Sequence, residues 1–298
     1  MEEFTFKWPG QGFAIGDLQV AAPIVQGGMG IGVSGRRLAT AVANCGGIGV
    51  ISAVGLGYLG LPCEIEPKEN ESMNITMLRQ ELRKARMQTK GVLGVNIMVA
   101  IREFTQTAKA AIEEGVDVIF AGAGLPLNLP QCLTAQSKTK LVPIVSSAKA
   151  AKLIAKRWMS KYQYAPDAFV LEGPKAGGHL GFSAEELTKP EYQLEVLLPQ
   201  VVQAAREIGR EAGKEIPVIA AGGVYTGADI YALQQLGASA VQMATRFVAT
   251  EECDAHDKFK QAYLNCKQED IAIIQSPVGL PGRAILNDFL TQAKAGLK

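Results

Sequence analysis

The sequence contains little histidine, few aromatic residues and almost no net charge. Two of its 298 residues are histidines, 6% are aromatic, and 30 basic residues face 29 acidic ones, which gives a formal charge of +1. Two histidines do not suffice for a His-rich metal site. A charge near zero gives no support for binding to nucleic acid or to an acidic membrane surface. We therefore expect no metal, no nucleic acid and no membrane among the partners of this protein.

Cysteine pairs and targeting signals are also missing. The five cysteines lie far apart, are odd in number and form no CxxC motif. This pattern is typical of reduced thiols in a cytoplasmic protein rather than of a disulfide or zinc framework. The N-terminus has no apolar segment that would indicate a signal peptide. The uncharged run 38–63 contains six glycines, which disfavours a transmembrane helix. We expect a cytoplasmic location.

Eight short apolar runs recur along the chain, separated by segments of helical periodicity. Continuous apolar runs are typical of parallel strands that are buried on both faces. The predicted strands cover residues 23–26, 47–52, 92–98, 116–121, 141–146, 168–171, 216–221 and 240–245. Eight strand–helix units predict an α/β fold, a (β/α)8 TIM barrel with long loops at the C-terminal face of the strands. A doubly wound open sheet is the alternative.

Signals at helix ends support the segments between the strands. Ser34 and Ser147 are the expected N-caps, and Gly115 is expected to end its helix. Thr226 and Asp229 have the spacing of a capping box. Predicted helices cover residues 34–45, 101–114, 147–161, 194–213 and 230–236, with a polar helix at 251–268 and a final helix after the loop 276–283.

No composition break divides the chain, so residues 1–298 are predicted to form a single TIM-barrel domain. Two connections are unusually long, near residues 53–90 and 173–194. Both leave the C-terminal ends of strands, where TIM barrels carry their active sites, and long loops there often act as lids. We predict lid-like insertions at both places.

A GxGxxG motif, Gly30-Ile-Gly-Val-Ser-Gly35, follows the first predicted strand. A dinucleotide-binding fold needs in addition an acidic residue about 20 residues later, to bind the ribose. No acidic residue occurs between Gly35 and Glu64, so we interpret the motif as a chance match.

His179 lies in a glycine-rich loop after the sixth predicted strand, next to Gly177, Gly178 and two further glycines. Glycine lets a backbone approach a ligand closely, and histidine titrates nearest to neutral pH. The pattern indicates an active-site loop with His179 as its proton-transfer group. A glycine-rich turn around a structural histidine is the alternative. The other histidine, His256, lies in a polar segment and is expected to be a solvated helix residue.

A phosphate site is predicted at the ends of the last two strands. Gly222 and Gly223 close the seventh strand, and residues 242–246 close the eighth. In TIM barrels a phosphate often binds between these two loops and a helix N-terminus, through backbone amides. Thr245 and Arg246 are candidates for further donors.

Two polar side chains interrupt apolar strands. Asn96 lies within the third strand, and Glu172 ends the sixth. A buried polar group needs a partner, and a carboxylate at the end of a buried strand is rarely there for packing. Both are candidates for ligand binding, with a core hydrogen bond as the alternative for Asn96.

Five motifs occur in order between about residues 20 and 256. They are Gln26-Gly-Gly-Met-Gly30, Gly94-Val-Asn-Ile-Met98, Glu172-Gly-Pro-Lys-Ala-Gly-Gly-His179, Pro217-Val-Ile-Ala-Ala-Gly-Gly223 and Val241-Gln-Met-Ala-Thr-Arg-Phe247. Together they resemble the nitronate monooxygenase family, formerly called 2-nitropropane dioxygenases. The flavin-dependent enoyl-acyl-carrier-protein reductases carry similar motifs.

The resemblance implies a TIM barrel with FMN at the C-terminal face, and His179 beside the flavin and the substrate as the catalytic base. The glycine turn at 27–28 and Met29 are expected to approach the isoalloxazine ring. The cofactor contacts implied by the resemblance are Gly27, Gly28, Met29, Asn96, Glu172, Gly177, Gly178, Gly222, Gly223, Gln242, Met243, Ala244 and Thr245.

The chain departs from the family pattern at three positions. Many members have glutamine in place of Glu172, whereas the reductase relatives often have glutamate. Lys175 stands where the family usually has glutamate, and Ala244 replaces the usual glycine. The first two departures leave open the choice between oxygenase and reductase.

The resemblance implies an FMN-dependent oxidoreductase that oxidises alkyl nitronates with O2 to a carbonyl compound and nitrite. Its partners would be a small-molecule substrate and O2, and a homodimer is one expected assembly. The alternative is an NAD(P)H-dependent reductase of an enoyl thioester or a quinone on the same scaffold. A third possibility is a flavin-free barrel that binds a phosphorylated metabolite.

Overall fold

The computed structural model describes residues 10–58, 67–275 and 279–294. Its strands are β1 (Phe13–Ile15), β2 (Leu18–Val20), β3 (Ile24–Gln26), β4 (Ile48–Ser52), β5 (Val92–Met98), β6 (Val118–Gly122), β7 (Lys140–Val145), β8 (Phe169–Glu172), β9 (Gly178–His179), β10 (Val218–Ala221), β11 (Ala240–Met243), β12 (Ile271–Gln275) and β13 (Pro281–Ile285). Its helices are α1 (Arg36–Asn44), α2 (Pro67–Gln88), α3 (Phe104–Glu113), α4 (Ala148–Tyr162), α5 (Leu194–Ala212), α6 (Gly227–Gln235), α7 (Thr245–Val248), α8 (Asp257–Asn265) and α9 (Asp288–Lys294).

Eight strands form a closed barrel in the order β3-β4-β5-β6-β7-β8-β10-β11. The last strand pairs in parallel with the first, with Val241 opposite Ile24, so the sheet has no open edge. The predicted (β/α)8 barrel is therefore confirmed, and the doubly wound alternative is wrong. Each of the eight predicted apolar runs overlaps one barrel strand.

Alternating side chains of the barrel strands form two separate cores. One alternate set, which includes Val50, Phe120 and Val170, packs inside the barrel. The other set faces the surrounding helices. The β1–β2 hairpin, which the sequence analysis missed, adds Phe13 and Ile15 to the interior core. Since this hairpin covers the N-terminal end of the barrel, the C-terminal ends of the strands form its open mouth.

The start of α1 differs from the prediction. Ser34 is not the N-cap, because its hydroxyl accepts a hydrogen bond from the Met29 amide (2.8 Å) and donates one to the Met29 carbonyl (3.2 Å). The N-cap is Gly35, and the Asp254 carboxylate accepts from the amides of Gly35 (3.0 Å), Arg37 (3.2 Å) and Leu38 (3.1 Å). A carboxylate from a distant segment therefore satisfies the helix N-terminus.

Other helix signals are confirmed. Ser147 caps α4 by accepting from the Ala150 amide, and Gly115 follows α3 with a positive φ. Thr226 and Asp229 form the predicted capping box at α6. His256 is exposed, and it is the N-cap of α8 rather than a residue inside that helix.

The first predicted insertion, near 53–90, is largely a barrel helix. Leu78, Leu82 and Ala85 of α2 are buried in the outer core, so a lid at this place would be confined to the residues before α2. Of these, residues 59–66 lie outside the described range.

The tail also differs from the prediction, because β12 and β13 form an antiparallel hairpin where a loop was expected. Residues 276–278 of that loop lie outside the described range.

No helix in the part of the chain that the structure describes is long and apolar enough to cross a membrane. No cluster of three or more His, Cys, Asp or Glu side chains there is arranged to hold a metal ion.

We predict that Asp254→Ala lowers the free energy of unfolding by about 1–2 kcal/mol, because three amides at the start of α1 lose their acceptor. Urea denaturation monitored by circular dichroism measures this loss. Asp254→Asn should retain most of the stability, since asparagine also caps helices. The control is Glu252→Ala, which changes an exposed carboxyl two residues away. Equal effects of Asp254→Ala and Glu252→Ala would contradict the capping role.

Candidate active site

Polar side chains from three strands point into the barrel at its mouth. Val170 and Ala240 belong to the interior core, and side chains two residues apart on a strand share a face. Glu172, two residues after Val170, and Gln242, two residues after Ala240, therefore also face the interior. Asn96 has the same inward parity on β5, where Val92 packs against the interior core. Strand alternation thus brings three of the predicted site residues to one place.

The strand register sets the side chains of Glu172 and Gln242 at matching heights. Ala221 of β10 pairs with Glu172 on one side and with Gln242 on the other. Asn96 pairs with Ser52 of β4 and Phe120 of β6. The apolar interior below, with Val118 and Val170 fully buried, separates this polar layer from the N-terminal end of the barrel.

None of the polar side chains at the mouth is satisfied by the protein. Asn96, Glu172, His179 and Gln242 are each only partly exposed. Within the described residues, none of the four side chains forms a hydrogen bond or ion pair. Polar groups in such positions normally have partners. The inward-facing side chains of Asn96, Glu172 and Gln242 are therefore available to bind a polar ligand at the mouth.

Desolvation alters the chemistry of Glu172. Burial raises the pKa of this carboxyl from 4.5 to about 8, because no cation or donor in the described residues offsets the loss of water. At neutral pH the group is therefore mostly protonated. A protonated carboxyl both donates and accepts hydrogen bonds, which suits a ligand edge that presents carbonyl oxygens and ring nitrogens.

The glycine turn after β3 forms a bare floor between these side chains. A Cβ atom on Gly28 would lie 2.3 Å from the Asn96 Cβ, and one on Gly27 would lie 3.4 Å from the Gln242 Cγ. The Gly27 amide donates to the Met243 carbonyl (2.7 Å), which anchors the turn to β11. A flat ligand could lie against this backbone, whereas a side chain at Gly28 would collide with Asn96.

Neighbouring Gln26 has a structural role. Its side chain is fully buried. Its Oε1 accepts from the Val50 amide (2.9 Å), and its Nε2 donates to the Gly27 carbonyl (2.6 Å). The amide thus ties the turn to β4, at a point where β3 and β4 share only the pair Val25–Ile48.

Two predicted contact residues point elsewhere. The Met243 side chain packs in the outer core, so only its backbone faces the glycine turn. The Met29 side chain packs beside Val33 and Leu38, close to the start of α1.

The loop that carries His179 is held by the C-terminal hairpin, which the sequence analysis missed. His179 and Gly178 form β9, which pairs with Gly282 and Arg283 of β13. The Arg283 guanidinium also donates to the Lys175 carbonyl (3.0 Å). The short apolar run of residues 271–274, with three isoleucines, was a weak strand signal that could have indicated this hairpin.

The same loop is anchored from the barrel side. The Ser146 hydroxyl, just after β7, donates to the Gly181 carbonyl (2.8 Å). Leu180 and Phe182 are buried. Gly177 and Gly178 are exposed, and a Cβ atom on either would meet nothing within 4 Å. His179 is thus fixed between a strand and two buried side chains, while the glycines before it stay open to a ligand.

The glycine pair after β10 has the geometry of an anion cradle. Gly222 and Gly223 have φ values of 104° and 84°, which only glycine adopts easily. A Cβ atom on Gly222 would also lie 2.9 Å from the Gly173 carbonyl. Neither glycine amide donates to another group in the described residues. The stem of Lys175 packs on Gly223, which places a cationic side chain beside the pair.

Two groups that were expected to bind the phosphate, the N-terminus of α6 and the Arg246 side chain, already bond to other residues. The Asp229 carboxylate accepts from the amides of Thr226 (2.7 Å) and Tyr225 (3.0 Å), so the N-terminus of α6 is capped by its own residue. Arg246 donates to the Tyr225 carbonyl (3.3 Å) and lies 4.9 Å from the centre of the Tyr225 ring. The available donors are therefore the glycine amides and the backbone at Ala244 and Thr245.

Comparisons with known proteins identify the family of this chain. Residues 13–296 match the family described as nitronate monooxygenase. The (3aS,4S,5R,7aS)-5-hydroxy-7a-methyl-1-oxo-octahydro-1H-indene-4-carboxyl-CoA dehydrogenase of Mycobacterium tuberculosis is 30% identical over 277 residues. The match covers 92% of this chain and 66% of that protein, so the chain spans just under two thirds of that relative.

Solved structures show the same fold. FabK from Thermotoga maritima has a TM-score of 0.72 at 29% identity, over 93% of this chain and 75% of that chain. Nitroalkane oxidase from Streptomyces ansochromogenes has a TM-score of 0.67 at 26% identity, over 92% of this chain and 79% of that chain.

We predict that Glu172→Gln stabilises the protein increasingly as pH rises from 5 to 8. Between pH 4.5 and about 8 the unfolded chain releases a proton that the folded Glu172 retains. The wild type therefore loses stability as pH rises through this range, by up to about 5 kcal/mol, and glutamine removes the loss. Urea denaturation across this pH range measures the difference. Glu191→Gln, at an exposed carboxyl, is the control. A stability difference between Glu172→Gln and wild type that does not vary with pH would contradict the assignment.

Proposed function

The chain belongs to the nitronate monooxygenase family, and on this premise we propose that it is an FMN-dependent oxidoreductase that oxidises alkyl nitronates with O2 to a carbonyl compound and nitrite. Proteins of this family are flavoenzymes in general. The observation that carries the proposal is the bare turn at Gly27 and Gly28, which lies against Asn96 and Gln242 at the mouth of the barrel.

The residues at the mouth fit FMN as a cofactor. A flavin ring is flat and carries carbonyl oxygens and ring nitrogens along its edges. Asn96, Gln242 and protonated Glu172 offer donors and acceptors to those edges. The amides of Gly222 and Gly223, with Lys175 beside them, fit the phosphate. FMN would supply the electron-accepting chemistry, and the protein supplies binding and electrostatics.

His179 is the residue to which we assign proton transfer. If a neutral nitroalkane binds, an imidazole nitrogen of His179 would accept the proton from the carbon that bears the nitro group. If the nitronate itself binds, a protonated His179 would stabilise its anionic oxygens instead. The pairing of β9 with β13 holds the backbone of His179 in place for either role.

A second candidate function is the NAD(P)H-dependent reduction of an enoyl thioester. It is favoured by Glu172, since glutamate is frequent in the reductase relatives at this position, and by the 30% identity to a carboxyl-CoA dehydrogenase. Both candidates use the same cofactor site and differ in the electron donor.

Anaerobic stopped-flow mixing separates the two candidates. In the nitronate reaction, an alkyl nitronate bleaches the flavin absorbance, and NAD(P)H does not. Rapid bleaching by NAD(P)H, followed by reoxidation with crotonyl-CoA, would overturn the proposal in favour of the thioester reaction.

The colour of the purified protein tests the cofactor itself. A yellow protein that releases FMN on denaturation supports the proposal. A colourless protein that cannot be reconstituted with FMN would overturn it and favour a flavin-free barrel that binds a phosphorylated metabolite.

We predict that His179→Asn retains FMN but loses at least about 100-fold in kcat/KM on neutral nitroalkanes, the usual contribution of a general base. Nitrite release in a steady-state assay measures the loss, and the absorbance spectrum reports the cofactor. His256→Asn is the matched control, because it changes the second histidine, at the exposed start of α8, to another capping residue. Wild-type turnover of neutral nitroalkanes by His179→Asn would exclude the assigned role.

A further inference from the structure

The GxGxxG motif of the sequence contains a strained turn at the mouth of the barrel. The Val33 amide donates to the Gly30 carbonyl (3.3 Å), which closes a four-residue turn. Its two central residues, Ile31 and Gly32, have φ values of 52° and 71°. Positive φ at both positions is the requirement of a type I′ turn, which favours asparagine, aspartate or glycine. Isoleucine is an unsuitable residue for the first of these positions.

Burial does not explain the isoleucine. Ile31 is 68% exposed, and a β-branched residue in the left-handed region is a genuine conformational outlier. Among the described residues, the other non-glycine residues with positive φ are Ala123 and Gln163. Gln163 is the left-handed C-cap of α4, which accounts for its conformation. Ile31 therefore combines backbone strain with an exposed apolar side chain and no structural benefit.

The surroundings hold Ile31 in this conformation. Its amide donates to the Val54 carbonyl (2.8 Å), in the loop after β4. The Ser34 hydroxyl and amide both bond to Met29, which closes the loop on the other side. A Cβ atom on Gly55 would lie 3.0 Å from the Ile31 Cγ1, so the facing loop carries a glycine where the isoleucine needs space.

The position of the turn indicates a function for its strained backbone conformation. It directly follows Gly27 and Gly28, the floor of the polar site, and it bonds to the loop that leaves the next barrel strand. Strained residues of this kind cluster at functional sites, where the conformation is part of the function. Ala123, just after β6, lies at the same end of the barrel.

We propose that Ile31 is a specificity-determining residue, whose side chain contacts the hydrocarbon part of the substrate at the rim of the site. The polar layer below would bind the reacting head group, and Ile31 would remove the chain attached to it from water. The inference rests on the proposed function only for the identity of the head group.

The hydrophobic effect predicts how much affinity each methylene of the substrate chain should add. Each methylene buried against an apolar surface strengthens binding about 4-fold. Straight-chain alkanoates from propanoate to hexanoate are suitable probes, because a carboxylate is planar and anionic with two oxygens, as a nitronate is. Calorimetric titration of the FMN-loaded protein with these probes requires no turnover.

The wild type should bind each longer alkanoate about 3- to 4-fold more tightly, whereas Ile31→Asn should show less than about 1.5-fold per methylene. Ile31→Asn should also raise the melting temperature, because asparagine suits the turn. Ile31→Leu, which keeps the apolar surface, should keep most of the affinity gained per methylene, the alkanoate increment.

The matched control is Gln163→Gly, which relieves the same backbone conformation at the far end of a helix. It should raise the melting temperature and leave the alkanoate increments at the wild-type value. An Ile31→Asn variant with wild-type increments, or a wild type without chain-length dependence, would overturn the proposal. If the increments hold but no nitronate is oxidised, the proposed function fails and the role of Ile31 stands.

Discussion

The parallel pairing of β11 with β3 is the constraint on which the rest of the structure depends. It closes the barrel and sets the height of Gln242 against the glycine turn. A slip of one residue would turn Gln242 toward the helices and Met243 toward the interior, since side chains alternate on a strand. The buried amide of Gln26, bonded to Val50 and Gly27, holds the neighbouring edge of β3 in register.

The barrel strands could be predicted because burial on both faces leaves a strong signal, a continuous apolar run. Asn96 and Glu172 could be recognised because they interrupt such runs. The hairpin β1–β2 has strands of only three residues, too short for a periodic signal. The cap of α1 could not be predicted, since its donors lie up to 219 residues from Asp254 in the sequence.

The site was less accessible to prediction than the fold. Motifs identified the backbone of residues 27–29 and 242–245, but not where each side chain points. Met243 and Met29 pack into apolar clusters because the hydrophobic effect outweighs any contact with the mouth. Burial raises the pKa of Glu172, and no nearby cation among the described residues offsets this effect. Both conditions are properties of the folded barrel and cannot be read from the sequence. A glutamate at position 172 does not by itself distinguish an oxygenase from a reductase. A neutral carboxyl in the polar layer, however, can both donate and accept a hydrogen bond.

The pairing of β9 with β13 has a consequence for how the protein matures during synthesis. The ribosome completes the eight barrel strands at Met243, but the partner of His179 begins only at Pro281. The strand that pairs with the histidine loop is therefore synthesised after all eight barrel strands, and a chain that stopped before Pro281 would contain every barrel strand but not this pairing.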